Sequence, residues 1–247
     1  MSETGKTVGE VRILGDIDIV ILAGGLGTRV RSSLGDTPKV MAPINGRPFI
    51  DHLLDRLTAA GARRIILSLG HLADKVVRHV RGQPGVETVI EPEPLGTAGA
   101  IRFLRNRLLS DNVLVINGDT WLEVDIDKFL LAHLASGTEL SIVGVHVDDV
   151  SRYGHLELAA DRILRFVEKD VTNHSAGLIN GGIYLITQAA LDALDSVAGR
   201  SLEQDFFFSR QPESIHCFVQ NNANFIDIGT PESLQTVLDS KDVSFVE

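Results

Sequence analysis

Apolar residues in this chain follow two rhythms that alternate through its first half. Short, nearly unbroken apolar runs at 17–23, 64–69, 86–90 and 112–116 have the length of buried strands. Between the first two, Ile50, Leu53, Leu54 and Leu57 recur at i, i+3, i+4 and i+7, the stripe of an amphipathic helix. Pro48 suits the first turn of that helix and Gly61 its end. Residues 72–80 read as helical. Thr97 is placed to cap a helix whose inner face is Ile101, Leu104 and Leu108. Ile126, Phe129, Leu130 and Leu134 mark another helix, ahead of a strand at 140–147. This βαβα order predicts an α/β, Rossmann-like, mostly parallel mixed sheet covered by helices on both faces.

The second half is less regular. Strands are expected at 154–158, 163–167 and 178–186, the first two as a meander. Ser201 and Gln204 form a possible capping box ahead of Phe206, and Thr230-Pro231 marks a final helix start. No repeat, low-complexity tract or Pro/Gly/Ser linker forces a boundary. The expected organisation is therefore a flexible tail over 1–12 and a single domain over 13–247, its second half a small β-rich lobe or pocket wall.

Composition changes this picture in a few places. A hydrophobic content of 44% is enough for a sizeable core, and a net charge of −10 argues against a broad nucleic-acid surface. Any phosphate ligand must meet a local basic cluster. Cys217, the single cysteine, excludes an internal disulfide and fits a reducing compartment. No apolar run approaches the ~18 residues of a membrane span, and the polar start lacks the apolar segment of a signal peptide. The expectation is a cytoplasmic protein without a membrane partner. A homo-oligomer is compatible with the sequence.

Ligands of parallel sheets gather beyond the carboxyl ends of the strands. Three such ends carry chemistry. The first runs from Ala23 into Gly24-Gly25-Leu26-Gly27-Thr28-Arg29, with Pro38-Lys39 shortly after. Glycines let a backbone lie flat against a ligand, and their N–H groups with two cations suit a triphosphate. The bland alternative is a turn. The dinucleotide fingerprint fails because Val30 stands where its third glycine belongs, and no P-loop pattern is present. The second end opens into 91–99 and the third into Asn117-Gly118-Asp119. Asp119 is either a Mg²⁺ ligand or the solvated end of an Asn-Gly turn. Asp227 interrupts an apolar strand, as a solvent-facing residue or as a second metal ligand, and Lys169 closes another strand. The eight histidines are scattered, which argues against zinc, and no Gly-x-Ser-x-Gly elbow suggests a serine hydrolase.

Taken together, the runs 22–29, 38–43, 94–99, 117–119, 153–154, 167–169 and 180–184, with Asp227, resemble the sugar-1-phosphate nucleotidylyltransferase family, in family order across nearly the whole chain. The resemblance implies nucleotide contacts from Leu22, Ala23, Gly24, Gly25, Gly27, Thr28 and Gly118, and base contacts from the turn holding Glu93, Pro94, Gly96 and Thr97. It implies Arg29 and Lys39 on the phosphates, Mg²⁺ on Asp119 and Asp227, and Lys169 on the sugar phosphate. Glu168 and Asn180 would bind sugar hydroxyls, and Gly154 and Gly181 would line the sugar pocket. Arg29, Lys39, Asp119 and Lys169 would form the catalytic set. Residues 13–147 would then be a nucleotide-binding half and 148–247 a sugar-phosphate-binding half. Within the family the runs look most like the group that joins GTP to D-glycero-α-D-manno-heptose 1-phosphate. Mannose-1-phosphate guanylyltransferases and the uridylyl-, cytidylyl- and thymidylyltransferases share the scaffold. The chain departs from common family spellings at Gly181 and Val40, and neither change removes a charge. A non-catalytic sugar-nucleotide sensor is the rival from another class.

Overall fold

The computed structural model describes residues 13–221, 223–239 and 245; the tail expected over 1–12 lies outside the described residues. The first half alternates as expected: β1 (Asp18–Ala23), α1 (Arg31–Leu34), β2 (Pro43–Ile44), β3 (Arg47–Pro48), α2 (Phe49–Ala59), β4 (Ile65–Leu69), α3 (Ala73–His79), β5 (Val86–Ile90), α4 (Gly96–Leu104) and β6 (Asn112–Asn117). There follow β7 (Thr120–Leu122), α5 (Ile126–Ser136), β8 (Leu140–Val147), β9 (His155–Ala159), β10 (Arg162–Val167), β11 (Gly177–Thr187), α6 (Gln188–Asp195), β12 (Ile215–Gln220), β13 (Phe225–Asp227) and α7 (Pro231–Asp239).

Nine of these strands form one sheet in the order β5-β4-β1-β6-β11-β8-β12-β10-β9. The first four pair in parallel, as do β8 and β12, while β11 runs antiparallel between β6 and β8. Hence β5, β4, β1, β6, β8 and β12 all point their carboxyl ends at one rim. The β9–β10 hairpin extends the same sheet, so the second half adds a wall to the first. A separate two-stranded ribbon pairs β7 with β13 and sets Asp227 opposite Thr120.

The strands are buried because their side chains alternate between two cores. Ile19 and Ile21 of β1 enter one hydrophobic cluster and Val20 the other; Leu114 and Ile116 of β6 part from Val113 and Val115 in the same way. Helix α2 buries Phe49, Ile50, Leu53, Leu54 and Leu57 on the first face, and α4 places Ile101 and Leu104 on the second. Burying each such side chain is worth about 1.5–3 kcal/mol, so the sheet is fixed from both sides. Among the described residues no helix is long and apolar enough to cross a membrane. Cys217 is buried, and burial pushes its thiol up to about 12.

Some local expectations need correction. Thr97 is not a cap: α4 starts at Gly96, and the Thr97 hydroxyl instead accepts the Leu202 N–H at 2.8 Å. The inner face of α5 is Ile126, Phe129, Leu130 and His133, while Leu134 is 53% exposed. Ser201 accepts the Gln204 N–H as expected, but the reciprocal bond to the Ser201 N–H comes from Asp205. Pro48 stands one residue ahead of α2, at its N-cap.

Candidate functional site

Two clefts open along the rim and meet at Gly25, Lys39 and Asp119. The first, about 310 Å³, lies over the ends of β1, β5 and β6. The second, about 620 Å³, lies between the glycine loop and the second half of the chain.

The glycine loop forms because the strands beneath it approach too closely for side chains. A Cβ on Gly24 would lie 2.1 Å from Glu91 Oε1, and one on Gly70 would lie 2.3 Å from the Gly24 carbonyl. Gly25 faces open space, which leaves its backbone accessible from the clefts. Leu22, Ala23, Gly24 and Gly25 line the first cleft, while Gly27, Thr28 and Arg29 line the second. Gly118 lies beneath the rim, its N–H donating to the Leu22 carbonyl at 2.9 Å. Pro94, Gly96 and Thr97 close the far end of the first cleft. Gly96 takes a φ of +75°, and a Cβ there would meet the Arg200 carbonyl at 2.4 Å. Glu93 is exposed and lies 4.0 Å from Arg200, outside both linings.

The two expected metal carboxylates are brought together by the β7–β13 ribbon. Asp119 directly precedes β7, Asp227 ends β13, and the Ile228 N–H donates to the Asp119 carbonyl at 2.9 Å. Both side chains border Gly229, where a Cβ would lie 2.7 Å from Asp227 Oδ1 and 3.3 Å from Asp119 Oδ2. Lys39 Nζ donates to Asp119 Oδ2 at 2.5 Å. Asp227 accepts the Gly229 N–H at 2.7 Å. Burial, and then the negative charge of Asp119, push Asp227 above the ordinary carboxylate range. Two hard oxygen ligands are held close against their own repulsion. Among the described residues no cluster of three or more His, Cys, Asp or Glu side chains could hold a metal. The remaining ligands of a cation here would come from substrate and water.

Lys169 lines the second cleft as an exposed cation, and Glu168 beside it is exposed outside the linings. Gly154 is packed under the end of β10, where a Cβ would lie 2.9 Å from the Val167 carbonyl. A Cβ on Gly181 would lie 2.6 Å from Leu122. The Asn180 amide is engaged within the protein: it donates to Tyr184 Oη at 3.0 Å and accepts the Gly182 N–H at 2.9 Å. Tyr184 in turn donates to Glu203 at 2.8 Å, and burial pushes its phenol well up. Gly154, Gly181 and Asn180 thus shape the wall without reaching either cleft lining.

Some lining residues escaped the sequence reading. Glu91 is 7% exposed, lines the first cleft, and accepts Ser68 Oγ at 2.9 Å and the Leu95 N–H at 3.2 Å. Its signal was present, because it is the first residue beyond the apolar run of β5. His71 lines the same cleft, and Arg152 and Thr230 line the second. His71 carried the same signal, two residues beyond β4, whereas Arg152 and Thr230 follow no apolar strand so closely.

A family model described as nucleotidyl transferase matches residues 18–241. The D-glycero-α-D-manno-heptose 1-phosphate guanylyltransferase of Aneurinibacillus thermoaerophilus is 33% identical over 219 residues, covering 87% of this chain and 94% of that one. The mannose-1-phosphate guanylyltransferase of Mycobacterium tuberculosis is 31% identical over 225 residues, 87% of this chain and 62% of that one. The crystal structure of HddC from Yersinia pseudotuberculosis complexed with GMP-PN superposes with a TM-score of 0.78 at 39% identity, covering 90% of this chain and 98% of that one.

Proposed function

The chain belongs to the nucleotidyl transferase family, and from that premise we propose that it joins GTP to D-glycero-α-D-manno-heptose 1-phosphate, giving the GDP-sugar and pyrophosphate. The observation that carries this reading is the pair Asp119 and Asp227, held on one ribbon where two clefts meet and ringed by Lys39, Arg29 and Lys169. A sugar 1-phosphate already is an anionic oxygen nucleophile, so the protein need supply no nucleophile of its own. The obstacle is repulsion between two polyanions. Catalysis then rests on positioning and charge stabilisation.

The first cleft takes the nucleotide, with its base toward Pro94, Gly96 and Thr97 and its phosphates over Gly24, Gly25 and Gly27. Glu91 supports guanine in particular. A carboxylate only accepts hydrogen bonds, and the Watson–Crick edge of guanine offers N–H donors at N1 and N2. Arg29 and Lys39 meet the triphosphate. The second cleft takes the sugar phosphate, with Lys169 on its charge and Glu168 toward the sugar end, while Asn180, bonded to the buried Tyr184, shapes the wall behind it. Residues 13–147 thus serve mainly the nucleotide and 148–247 the sugar phosphate.

The donor set suits Mg²⁺, a hard cation that takes one or two carboxylates and completes its shell with phosphate and water oxygens. Asp119 and Asp227 would hold it, and when bound it would neutralise charge on the reacting phosphates. A silent sensor would have no need of two adjoining carboxylates facing four cations. The similarity to a mannose-1-phosphate guanylyltransferase keeps mannose 1-phosphate as the second substrate to test. The test is pyrophosphate release across four nucleoside triphosphates, each with heptose, mannose and glucose 1-phosphates. GTP with the heptose is expected to give the highest kcat/KM. A higher value for any other base, or for glucose 1-phosphate, would sink the assignment.

A further inference from the structure

The four cations of the second cleft fall into two kinds. Arg29 and Lys169 make no ion pair among the described residues. Lys39 and Arg152 each rest on a carboxylate: Lys39 Nζ lies 2.5 Å from Asp119, and the Arg152 guanidinium lies 3.9 Å from Asp227 Oδ2. Arg152 is 42% exposed. It is held by one hydrogen bond, from Nη2 to Thr230 Oγ1 at 3.0 Å, by the face of the Tyr153 ring, 5.6 Å away, and by the charge of Glu232 in the same lining. The Thr230 hydroxyl is itself fixed against Ser233 at 2.9 Å.

An ion pair of this length and exposure is weak, so little holds Arg152 on Asp227. Its planar fork matches a phosphate better than it matches a single carboxylate oxygen at 3.9 Å. Arg152 lines the same cleft as Lys169, so its guanidinium is within that cleft's reach. With no divalent cation present, a turn of the guanidinium away from Asp227 is opposed, because it would leave the partly buried Asp227 beside Asp119 with only the Tyr153 hydroxyl and the Gly229 N–H as donors.

Building on the substrate assignment above, we propose that Arg152 has two successive partners. It neutralises Asp227 in the empty cleft, and it binds the phosphate of the sugar 1-phosphate once a divalent cation has taken that carboxylate. Lys39 stands in the same relation to Asp119 on the nucleotide side, so the two place-holders divide the two substrates between them. Arg152 and the divalent cation therefore compete for Asp227, whereas Arg152 and the sugar phosphate cooperate. Removing the guanidinium must move the two affinities in opposite directions. A merely structural tie between residue 152 and the start of α7 would weaken both.

The test pairs Mn²⁺ binding to the protein alone, read by electron paramagnetic resonance, with steady-state KM values. In Arg152→Met the Mn²⁺ dissociation constant is expected to fall about two- to fivefold, the worth of an exposed pair. KM for the sugar 1-phosphate is expected to rise about tenfold or more, the loss of hydrogen bonds to a charged group, with KM for GTP unchanged within about twofold. Arg152→Lys restores the charge without the fork, so Mn²⁺ affinity returns while the sugar-phosphate KM stays raised. Mn²⁺ affinity that is unchanged or weaker in Arg152→Met overturns the first partner, and an unmoved sugar-phosphate KM overturns the second. Failure of the substrate assignment would look different: wild-type protein would release pyrophosphate faster with another base or with glucose 1-phosphate, whatever the Arg152 variants did to Mn²⁺ binding.

Discussion

Asp18, at the amino end of the main sheet, and Asp227, on the ribbon above its carboxyl rim, are carboxylates withdrawn from water, and their surroundings shift them in opposite directions. Burial pushes Asp18 up, but the N–H groups of Ser110 and Leu109 and the Arg64 guanidinium outweigh it and hold Asp18 below its ordinary range. Burial pushes Asp227 up as well, and there Asp119 adds to the push. At the amino ends of the strands every oxygen of the carboxylate has a donor. At the carboxyl ends two acids face each other, with Lys39 hydrogen-bonded to Asp119 and Arg152 standing 3.9 Å from Asp227. The floor of the sheet matches one charge with its donors, whereas the rim sets two like charges side by side, and a site that must accept a cation and two polyanions has to be left that way.

The largest expected effect breaks this contrast directly. Asp119→Asn and Asp227→Asn should each lower turnover by about 10³-fold, since they remove charge that acts on the reacting groups. Asp227→Asn should nevertheless be as stable as wild type or more so at neutral pH, because it relieves a buried repulsion. The sign follows from linkage. A raised folded pKa is a penalty above the unfolded carboxylate value, relieved as pH falls through the folded value. The stability advantage of Asp227→Asn should therefore vanish in acid. Asp18→Asn should do the reverse, losing about 2 kcal/mol at pH 7 while keeping turnover within a small factor. Its deficit should also shrink in acid, because the wild-type contribution of Asp18 is present above the unfolded value and is lost as pH falls through the lowered one. Turnover assays and urea melts of the same three variants would decide it. A stable, active Asp119→Asn would erase the distinction between rim and floor.

A second satisfied group at the floor sharpens the comparison. His133 meets Ser141 Oγ at 2.7 Å and Asn112 Oδ1 at 3.0 Å, and Ser141 also meets His216 at 2.9 Å. Burial, then the nearby His216, bring His133 down to about 4. The unfolded chain takes its proton near pH 6.5, so stability should fall between pH 6.5 and about 4 and then level off. The loss from this one group is about 3 kcal/mol. His133→Gln should flatten that part of the stability profile, as measured by urea midpoints from pH 7.5 to 4. An equally steep profile in the variant would place the acid sensitivity elsewhere.

What the sequence could tell about rim and floor divides along the range of the interactions. Strands, glycine loop and the three chemistry-bearing strand ends were legible because apolar runs and turn residues are local signals. The pairing of Asp119 with Asp227 rests on the β7–β13 ribbon, which joins Thr120 to Asp227 across the chain and has no local mark. Thr97 looked like a cap, yet its hydroxyl serves the N–H of Leu202, 105 residues away. Glu91 and Glu93 are two residues apart at one strand end. Only the packing of Gly24 and Ser68 against Glu91 turns that one inward.

The smallest expected effect tests the one face that the apolar pattern misplaced. The apolar pattern places Leu134 in the stripe of α5. A helix turns about 100° per residue, so the position seven beyond Ile126 is His133, and His133 is the residue at 2% exposure. Leu134 stands outside at 53%, beside Leu131 at 53%. Gln has nearly the helix propensity of Leu, and little apolar surface is lost, so Leu134→Gln should change stability by less than about 0.5 kcal/mol. For a domain of this size that is a shift in Tm of about 2 °C at most. A loss several times larger would mean that something covers this face in solution. If the wild-type midpoint also rose with protein concentration, the cover would be a second copy of the chain, and the outer face of α5 would join the floor as a satisfied surface.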